Sequence, residues 1–207
     1  KSRFCLLGHQ DPDVLETARK NLTASPTATQ AGKTTVLQLI ASFRWRLEIG
    51  DVEAAFLTTD KWDKTAPEVL ERGGLYCELP RGGIPGVPPG RLCSVDKSVY
   101  GLGRAPLIFQ NSTTQGMTGA GFRTSKIDPC VYYLYKKGRL IGICCWHVDD
   151  LMMGGDESAP EFRAARDYIK QKWKFRKWKV GEGKFCGTEL SQEKDGTIHQ
   201  TQKEFAE

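Results

Sequence analysis

No apolar run in this chain reaches membrane-spanning length. The longest, Leu140–Val148, stops at Asp149, where about 20 residues would be needed to cross a bilayer. The N-terminus lacks the charged, apolar and small-residue layout of a signal or transit peptide. Metal-type cysteine spacing is missing as well: seven cysteines, an odd number, sit without a CxxC, and most fall in apolar runs. Cysteine there acts as a small hydrophobe, so neither a disulfide framework nor a zinc site is expected, and a reducing, intracellular setting is. The three histidines are far apart and none has a metal-type neighbour in sequence. Internal repeats and low-complexity tracts are also absent, which excludes stacked-repeat architectures.

What is present is ordinary for a globular protein: 39% hydrophobic and 27% charged residues in a chain of 207. That length suits one large domain or two small lobes sharing a core. The net charge of +5 is compatible with a polyanionic partner without demanding one. One basic run stands out, "KQKWKFRKWK" from Lys170 to Lys179. It suits phosphate contacts with base stacking, or equally an exposed helix end with Trp173 and Phe175 in the core. The chain opens on "KSRF" without Met and closes on "QKEFAE", and is expected to be a piece of something longer.

Apolar residues at Val36, Leu37, Leu39, Ile40 and Phe43 have helical spacing, then alternate at Trp45, Leu47 and Ile49. The pattern predicts a helix over about 30–44 running into a strand that ends near Asp51. "GLYCELP" (Gly74–Pro80) predicts a strand, and "RGGIPGVPPG" (Arg81–Gly90) a loop. A helix follows from Ala105 to about Met117, with Pro106 tolerated in its first turn. Two or three strands come next, turning at "KKG" and at the aspartate pair Asp149–Asp150. "SAPEFRAARDYIKQKW" predicts an amphipathic helix with Ser158 as N-cap. "KFCGTEL" and "GTIHQTQ" predict short strands around the turn "EKDG". Together these predict an α+β sheet with helices on one face.

Two glycine motifs are decoys. "AGKTT" (Ala31–Thr35) resembles the end of a P-loop, but Thr27 stands where its first glycine belongs and no apolar strand precedes it. A helix start with Gly32 in its first turn explains it better, although an ATPase using Lys33 is a distant rival. "GLGRAP" lacks the third glycine of a dinucleotide fingerprint.

The aspartate pair poses a sharper problem, because ionised carboxylates beside a buried strand are costly unless compensated. Asp149 and Asp150 could simply be surface residues of a tight hairpin. A second strand end, Ile49-Gly50-Asp51-Val52, also delivers an Asp after apolar alternation. If those strands are neighbours, three carboxylates converge, raising one another's pKa. Divalent cations remove that penalty, and hard oxygen ligands suit Mg²⁺. Two such ions about 4 Å apart align the attacking and leaving oxygens of a phosphoryl transfer.

At this point the chain resembles the reverse transcriptase domain of copia-type long-terminal-repeat retrotransposons. "KSRF…GHQD" is similar to that family's "KARLV…GFxQ", and "SP" at Ser25-Pro26 precedes the helix as it does there. "DVEAAFL" matches "DVKTAFL", and "LYCELPRG" is similar to "VYMEQPxG". "CSVDKSVYGLGRAP" matches "CKLxKSLYGLKQAP", and "GFRTSKIDPCVYY" matches "GFxxSxxDPCVYx". "HVDDLMMGG" stands where "YVDDMLIAG" is usual, and "FCGTEL" resembles "FLGxEI". The motifs keep their order over almost the whole chain.

The resemblance implies an RNA-directed DNA polymerase with a right-hand α+β fold: a palm of antiparallel sheet backed by helices, partial fingers and a truncated thumb. Over one reverse transcriptase domain, 1–207, the fingers would take parts of about 1–48 and 58–100, and the palm mostly 49–57 and 101–190. Residues 184–207 would begin the primer-holding hairpin on the thumb side. Asp51, Asp149 and Asp150 would be the catalytic acids, holding two Mg²⁺ ions (or Mn²⁺) with the Val52 backbone. Lys1 and Arg3 would grip the triphosphate of the incoming deoxynucleotide. Phe56, beside Ala55, would pack under the deoxyribose and exclude a 2′-hydroxyl. Tyr100 and Gly101 would line the floor of the nucleotide pocket. His147, Val148 and Gly187 would contact primer and template.

The departures are specific. His147 replaces the family's Tyr and is expected to alter primer contact without abolishing it. Gly103, Arg104 and Leu107 replace Lys, Gln and Arg, which weakens the template contacts implied there. Gly50 replaces a bulky apolar residue and is expected to loosen its strand. The chain is expected to be a palm-centred fragment, or a decayed copy, with an intact site and poor activity on its own; the alternative is a catalytically silent, decayed nucleic-acid-binding relic of the same domain. Implied partners are an RNA template, a DNA primer and deoxynucleoside triphosphates. No membrane is implied, and integrase, protease and RNase H regions would flank the domain. The implied location is intracellular, in a cytoplasmic virus-like particle, the nucleus or both.

Overall fold

A computed structural model describes residues 5–10, 25–61, 74–79 and 81–202. The chain divides into two compact units, one of Lys1–Ala24 with Phe56–Phe109 and one of Ser25–Ala55 with Gln110–Glu207.

The second unit is built on a six-stranded antiparallel sheet. Its strands are β1 (Glu48–Val52), β4 (Arg123–Thr124), β5 (Val131–Lys136), β6 (Arg139–His147), β7 (Asp150–Gly155) and β8 (Phe175–Val180), in the order β4-β5-β6-β7-β1-β8. A smaller antiparallel sheet joins β9 (Glu182–Phe185), β10 (Thr188–Gln192) and β11 (Ile198–Thr201). The helices are α1 (Gln30–Ser42), α2 (Ala105–Gly119, of which the part from Gln110 belongs to this unit) and α3 (Pro160–Lys172). In the first unit, β2 (Tyr76–Glu78) pairs antiparallel with β3 (Leu92–Ser94) across the Gly/Pro-rich loop.

Each helix has a local cause. Thr29 caps α1 by accepting the Gly32 backbone N–H, and its hydroxyl donates to the buried carboxylate of Asp128. At the other end Trp45 N–H reaches Ile40 O and Arg44, at φ +52°, reaches Ala41 O. That paired closure turns the chain sharply into β1. Gly32 is explained by packing, because a Cβ there would collide with Asp128. Residues 25–29 form no strand, so the P-loop resemblance has no structural counterpart in this segment.

Helices cover both faces of the large sheet, not one. Every residue from Ile141 to Trp146 is buried, which requires apolar partners on both sides of β6. On one face Ile143, Cys145 and Met152 pack with Val36 and Ile40 of α1 and with Phe185 and Leu190 of the small sheet. On the other face Trp146 meets Trp173, at 4.6 Å between ring centroids. Adjacent residues of β7 show the division: a Cβ on Gly154 would strike Ile40 of α1, and one on Gly155 would strike Phe162 of α3.

Three further local expectations change. Ser158 is not the N-cap of α3; Ala159 occupies that position without a side-chain cap bond. The Ser158 hydroxyl and N–H both go to Asp156 Oδ1, at 2.5 and 3.0 Å, closing a turn ahead of the helix. The basic run Lys170–Lys179 is divided, with α3 ending at Lys172 and β8 starting at Phe175. Its aromatics serve packing: Trp173 is buried, and Lys170 Nζ sits 4.2 Å from the centroid of the Trp178 ring. Nor does Gly50 loosen β1. A Cβ there would lie 2.7 Å from Phe175 Cε1 and 3.0 Å from Trp178 Cε3, so two aromatic rings fill the place of its missing side chain.

Candidate active site

Two separate strand ends deliver the three aspartates. β6 and β7 form a hairpin closed by the two-residue turn Val148–Asp149, with His147 opposite Asp150. β1 lies on the other side of β7, with Asp51 directly opposite Asp150. Cross-strand partners share a face, so Asp51 and Asp150 project to the side occupied by the β9–β10 hairpin. Asp149 is fastened next to them, because the Val52 N–H donates to its carbonyl at 2.7 Å. The turn itself is strained: Val148 has φ +52°, a conformation unfavourable for a β-branched residue. Trp146 Nε1–H holds it by donating to the Val148 carbonyl at 2.7 Å. The pair is therefore more than a surface turn, since Asp150 belongs to β7 and is only partly exposed.

The electrostatics follow from that placement. Burial pushes the Asp150 carboxyl up to about 6 from its ordinary 3.8, while a hydrogen bond from the Cys186 N–H at 3.0 Å pulls against it. Asp149 and Asp51 add to the upward push, and Arg176 opposes it. Asp150 is thus repelled by both neighbouring carboxylates in the folded chain. Cys186 and Gly187, at φ +48° and +77°, make the two-residue turn between β9 and β10. That geometry aims the Cys186 amide at Asp150.

Asp51 has a different neighbour. The ladder between β1 and β8 slips at this point, so that Asp51 faces Lys177 and Val52 faces Phe175, with Arg176 as the extra residue. Such a bulge re-aims side chains. Arg176 grips Asp51 with Nε–H to Oδ2 at 3.0 Å and Nη2–H to Oδ1 and Oδ2 at 2.7 and 2.6 Å. Beside it opens a groove of about 730 Å³ lined by Asp51, Asp150, Lys177, Lys179 and Lys184. Glu48, on the opposite face of β1, is buried and fully engaged by Arg166 at 2.9 Å and Trp178 Nε1–H at 2.6 Å.

His147 is half-buried, and its Nδ1 accepts the Ala28 N–H at 3.3 Å. Burial, then the nearby Lys33 charge, hold its imidazole below the usual histidine range, with Asp149 pulling the other way. The ring is accordingly neutral at pH 7, with its proton on Nε2 because Nδ1 accepts the Ala28 N–H.

Among the described residues no three His, Cys, Asp or Glu side chains form a ready-made metal cluster. The donor set itself suits a hard divalent cation: carboxylate oxygens delivered by adjacent strand ends, with Asp51 directly opposite Asp150. Asp51 is turned to Arg176 in this arrangement.

The other sequence-derived candidates fall in several places. Val52 is buried, with its N–H committed to Asp149. Ala55 is buried at the end of the second unit. Within the first unit Phe56 stands 5.1 Å from Tyr100 and 6.0 Å from Phe109, ring centroid to centroid. There the Leu6 N–H donates to the Tyr100 carbonyl at 2.8 Å, and Gly101, at φ +87°, lies so close to Leu6 that a Cβ would collide. The segment that follows "KSRF" thus runs along Tyr100 and Gly101. Lys1 and Arg3 lie outside the described residues.

Sequence reasoning passed over Arg176 and Cys186 as neighbours of the acids, and Lys33 as a charge near His147. Arg176 was hidden in a run of like charges, where the aromatic alternation Phe175–Trp178 was too short to declare a bulged strand. Cys186 acts through its backbone, which leaves no signal beyond the following Gly187. Asp128, in the motif "IDPCVYY", proves architectural: it receives the Thr29 N–H and hydroxyl at 2.9 and 2.7 Å and the Cys130 N–H at 2.9 Å.

A family model described as reverse transcriptase (RNA-dependent DNA polymerase) matches residues 17–207. The chain is also similar to the retrovirus-related Pol polyprotein from transposon TNT 1-94 of Nicotiana tabacum, with 28% identity over 133 residues. That match covers 64% of this chain and only 9% of the tobacco polyprotein.

Proposed function

The chain belongs to the reverse transcriptase (RNA-dependent DNA polymerase) family, and from that premise we propose that it is the polymerase core of a copia-type retrotransposon. It would add deoxynucleotides to a DNA primer on an RNA template. The observation that carries this is the convergence of Asp51 and Asp150 on facing strands, with Asp149 fastened beside them by Val52. On this proposal the second unit is mainly palm, and the first unit carries finger residues.

Asp51, Asp149 and Asp150, with the Val52 carbonyl, would hold two Mg²⁺ ions, for which Mn²⁺ could substitute. Bound there, the ions supply Lewis-acid activation of the primer 3′-hydroxyl and stabilise charge on the departing pyrophosphate. The chain's own residues prepare the site. The Cys186 N–H orients the Asp150 carboxylate, and the strained Val148 turn holds Asp149 against β1. His147, neutral and anchored through Nδ1, offers Nε2–H to the primer end in place of a tyrosine hydroxyl. Gly187 gives the β9–β10 turn the tightness needed to approach a primer strand. In the first unit, Phe56 with Tyr100 and Gly101 would receive the sugar and base of the incoming nucleotide, a role proposed also for Ala55, which precedes Phe56 in the chain. Lys1 and Arg3 would hold its triphosphate. Flanking integrase, protease and RNase H regions are part of the same proposal.

Extension of a DNA primer annealed to RNA, with deoxynucleoside triphosphates and Mg²⁺, tests this directly. Addition of the template-complementary nucleotide that stops on chelation supports the proposal. Template–primer binding without any extension would instead identify a silent relic of the domain.

A further inference from the structure

We propose that Arg176 is the resident counter-cation of the carboxylate site, occupying Asp51 until a divalent cation displaces it. The inference rests on the proposed metal role of Asp51, Asp149 and Asp150.

The geometry points to a dedicated device. Strand β8 forms the edge of the large sheet and departs from regular pairing only where it meets Asp51. A bulge there sacrifices ladder regularity, and what it achieves is to set two cationic residues, Arg176 and Lys177, against a single carboxylate. The two then diverge in use. Lys177 lines the groove, whereas the Arg176 fork covers both oxygens of Asp51. An exposed anchor of this kind adds little packing, since Arg176 keeps about 41% of its side-chain surface accessible. Its effect is instead on charge. Without it, the Asp51 carboxylate would stand uncompensated by this guanidinium beside Asp150, which accepts the Cys186 N–H.

Asp51 cannot present its oxygens to a cation while both are engaged by the guanidinium. Arginine keeps its charge at any physiological pH, so Asp51 is released by competition alone. An exposed ion pair is weak enough to lose that competition, and a divalent ion can engage all three acids at once. Arg176 is therefore a positioning residue: it sets how much metal is needed to fill the site.

Titration of the whole chain with Mn²⁺, following the free-ion signal by electron paramagnetic resonance, tests this without relying on activity. Arg176→Gln should bind Mn²⁺ roughly 3- to 10-fold more tightly than the wild type, the scale on which an exposed bidentate pair can hold back a ligand. Metal-free, that variant should melt at a lower temperature and gain more from added Mn²⁺ than the wild type does. Arg176→Lys, which keeps the charge but loses the fork, should fall between the two, and it carries the test if the Gln variant does not fold. Equal Mn²⁺ affinity in wild type and both variants would overturn the counter-cation while leaving the metal site standing. If the wild type binds no more Mn²⁺ than Asp149→Asn, the metal role of the acids falls with it.

Discussion

Replacement of Asp150 by Asn should stabilise the metal-free protein at neutral pH, although it removes a proposed functional group. Burial and two neighbouring carboxylates push the Asp150 carboxyl from 3.8 to about 6. A folded-state pKa above the unfolded value means that the folded state binds the proton more tightly. The associated stability is complete below pH 3.8 and is lost as pH rises through about 6. Taken at face value, a shift of about two units corresponds to about 3 kcal/mol. Asp150 remains partly open to solvent, and screening reduces the figure to about 1–2 kcal/mol. Asn keeps the acceptor oxygen for the Cys186 N–H, so the substitution removes charge and little else. Urea unfolding in the presence of a chelator should show Asp150→Asn more stable than wild type by about 1–2 kcal/mol at pH 7.5. At pH 4, where Asp150 is already protonated, the two should coincide. Added Mg²⁺ should then narrow or reverse the order at pH 7.5. An equal or lower stability for Asp150→Asn at pH 7.5, or the same gain at both pH values, would refute the electrostatic account of this site.

Gly50→Val, which restores a bulky residue before Asp51, should destabilise the protein by about 1–3 kcal/mol, because the Phe175 and Trp178 rings already fill that space. Chemical denaturation reads it, and unchanged or increased stability would show that the rings yield. Thr29→Ala should cost about 2–3 kcal/mol, combining a lost N-cap of α1 with a lost hydrogen bond to buried Asp128. Hydrogen exchange should show the first turn of α1 opening ahead of the rest, and uniform loss of protection would contradict a local cap.

The helices were the most legible part of the fold. The apolar spacing from Val36 to Ile40 is long enough to define a face, and Pro106 and Pro160 mark helix starts unambiguously. The β6–β7 hairpin was legible too, because a buried apolar run ending in two acids has few other solutions. What the sequence does not carry is the insertion of β1 between β7 and β8, which sets strands distant in the chain side by side. The strand-end pattern offers Asp51 as a partner of Asp149 and Asp150 only on the condition that the strands are neighbours, and resemblance to a family supplies that condition. β8 escaped because its outward residues are Lys and Arg, so that charge masked a strand whose inward residues, Phe175 and Trp178, cover Gly50. Coverage of both sheet faces is foreshadowed by the apolar run Ile141–Trp146, which a sheet with helices on one face would leave half exposed. Backbone participants such as the Cys186 amide leave almost no trace in sequence, since any residue can supply an N–H.

Primer extension by the wild-type chain and by Asp149→Asn, side by side on one RNA template with Mg²⁺, tests the central claim most directly. Asp149 sits in the turn rather than in the sheet, so its amide variant should keep the fold, as circular dichroism would verify. The account predicts templated incorporation by the wild type and a loss of at least about 100-fold in the variant, the scale on which charge stabilisation at the reacting centre acts. Equal incorporation by the two proteins would contradict it.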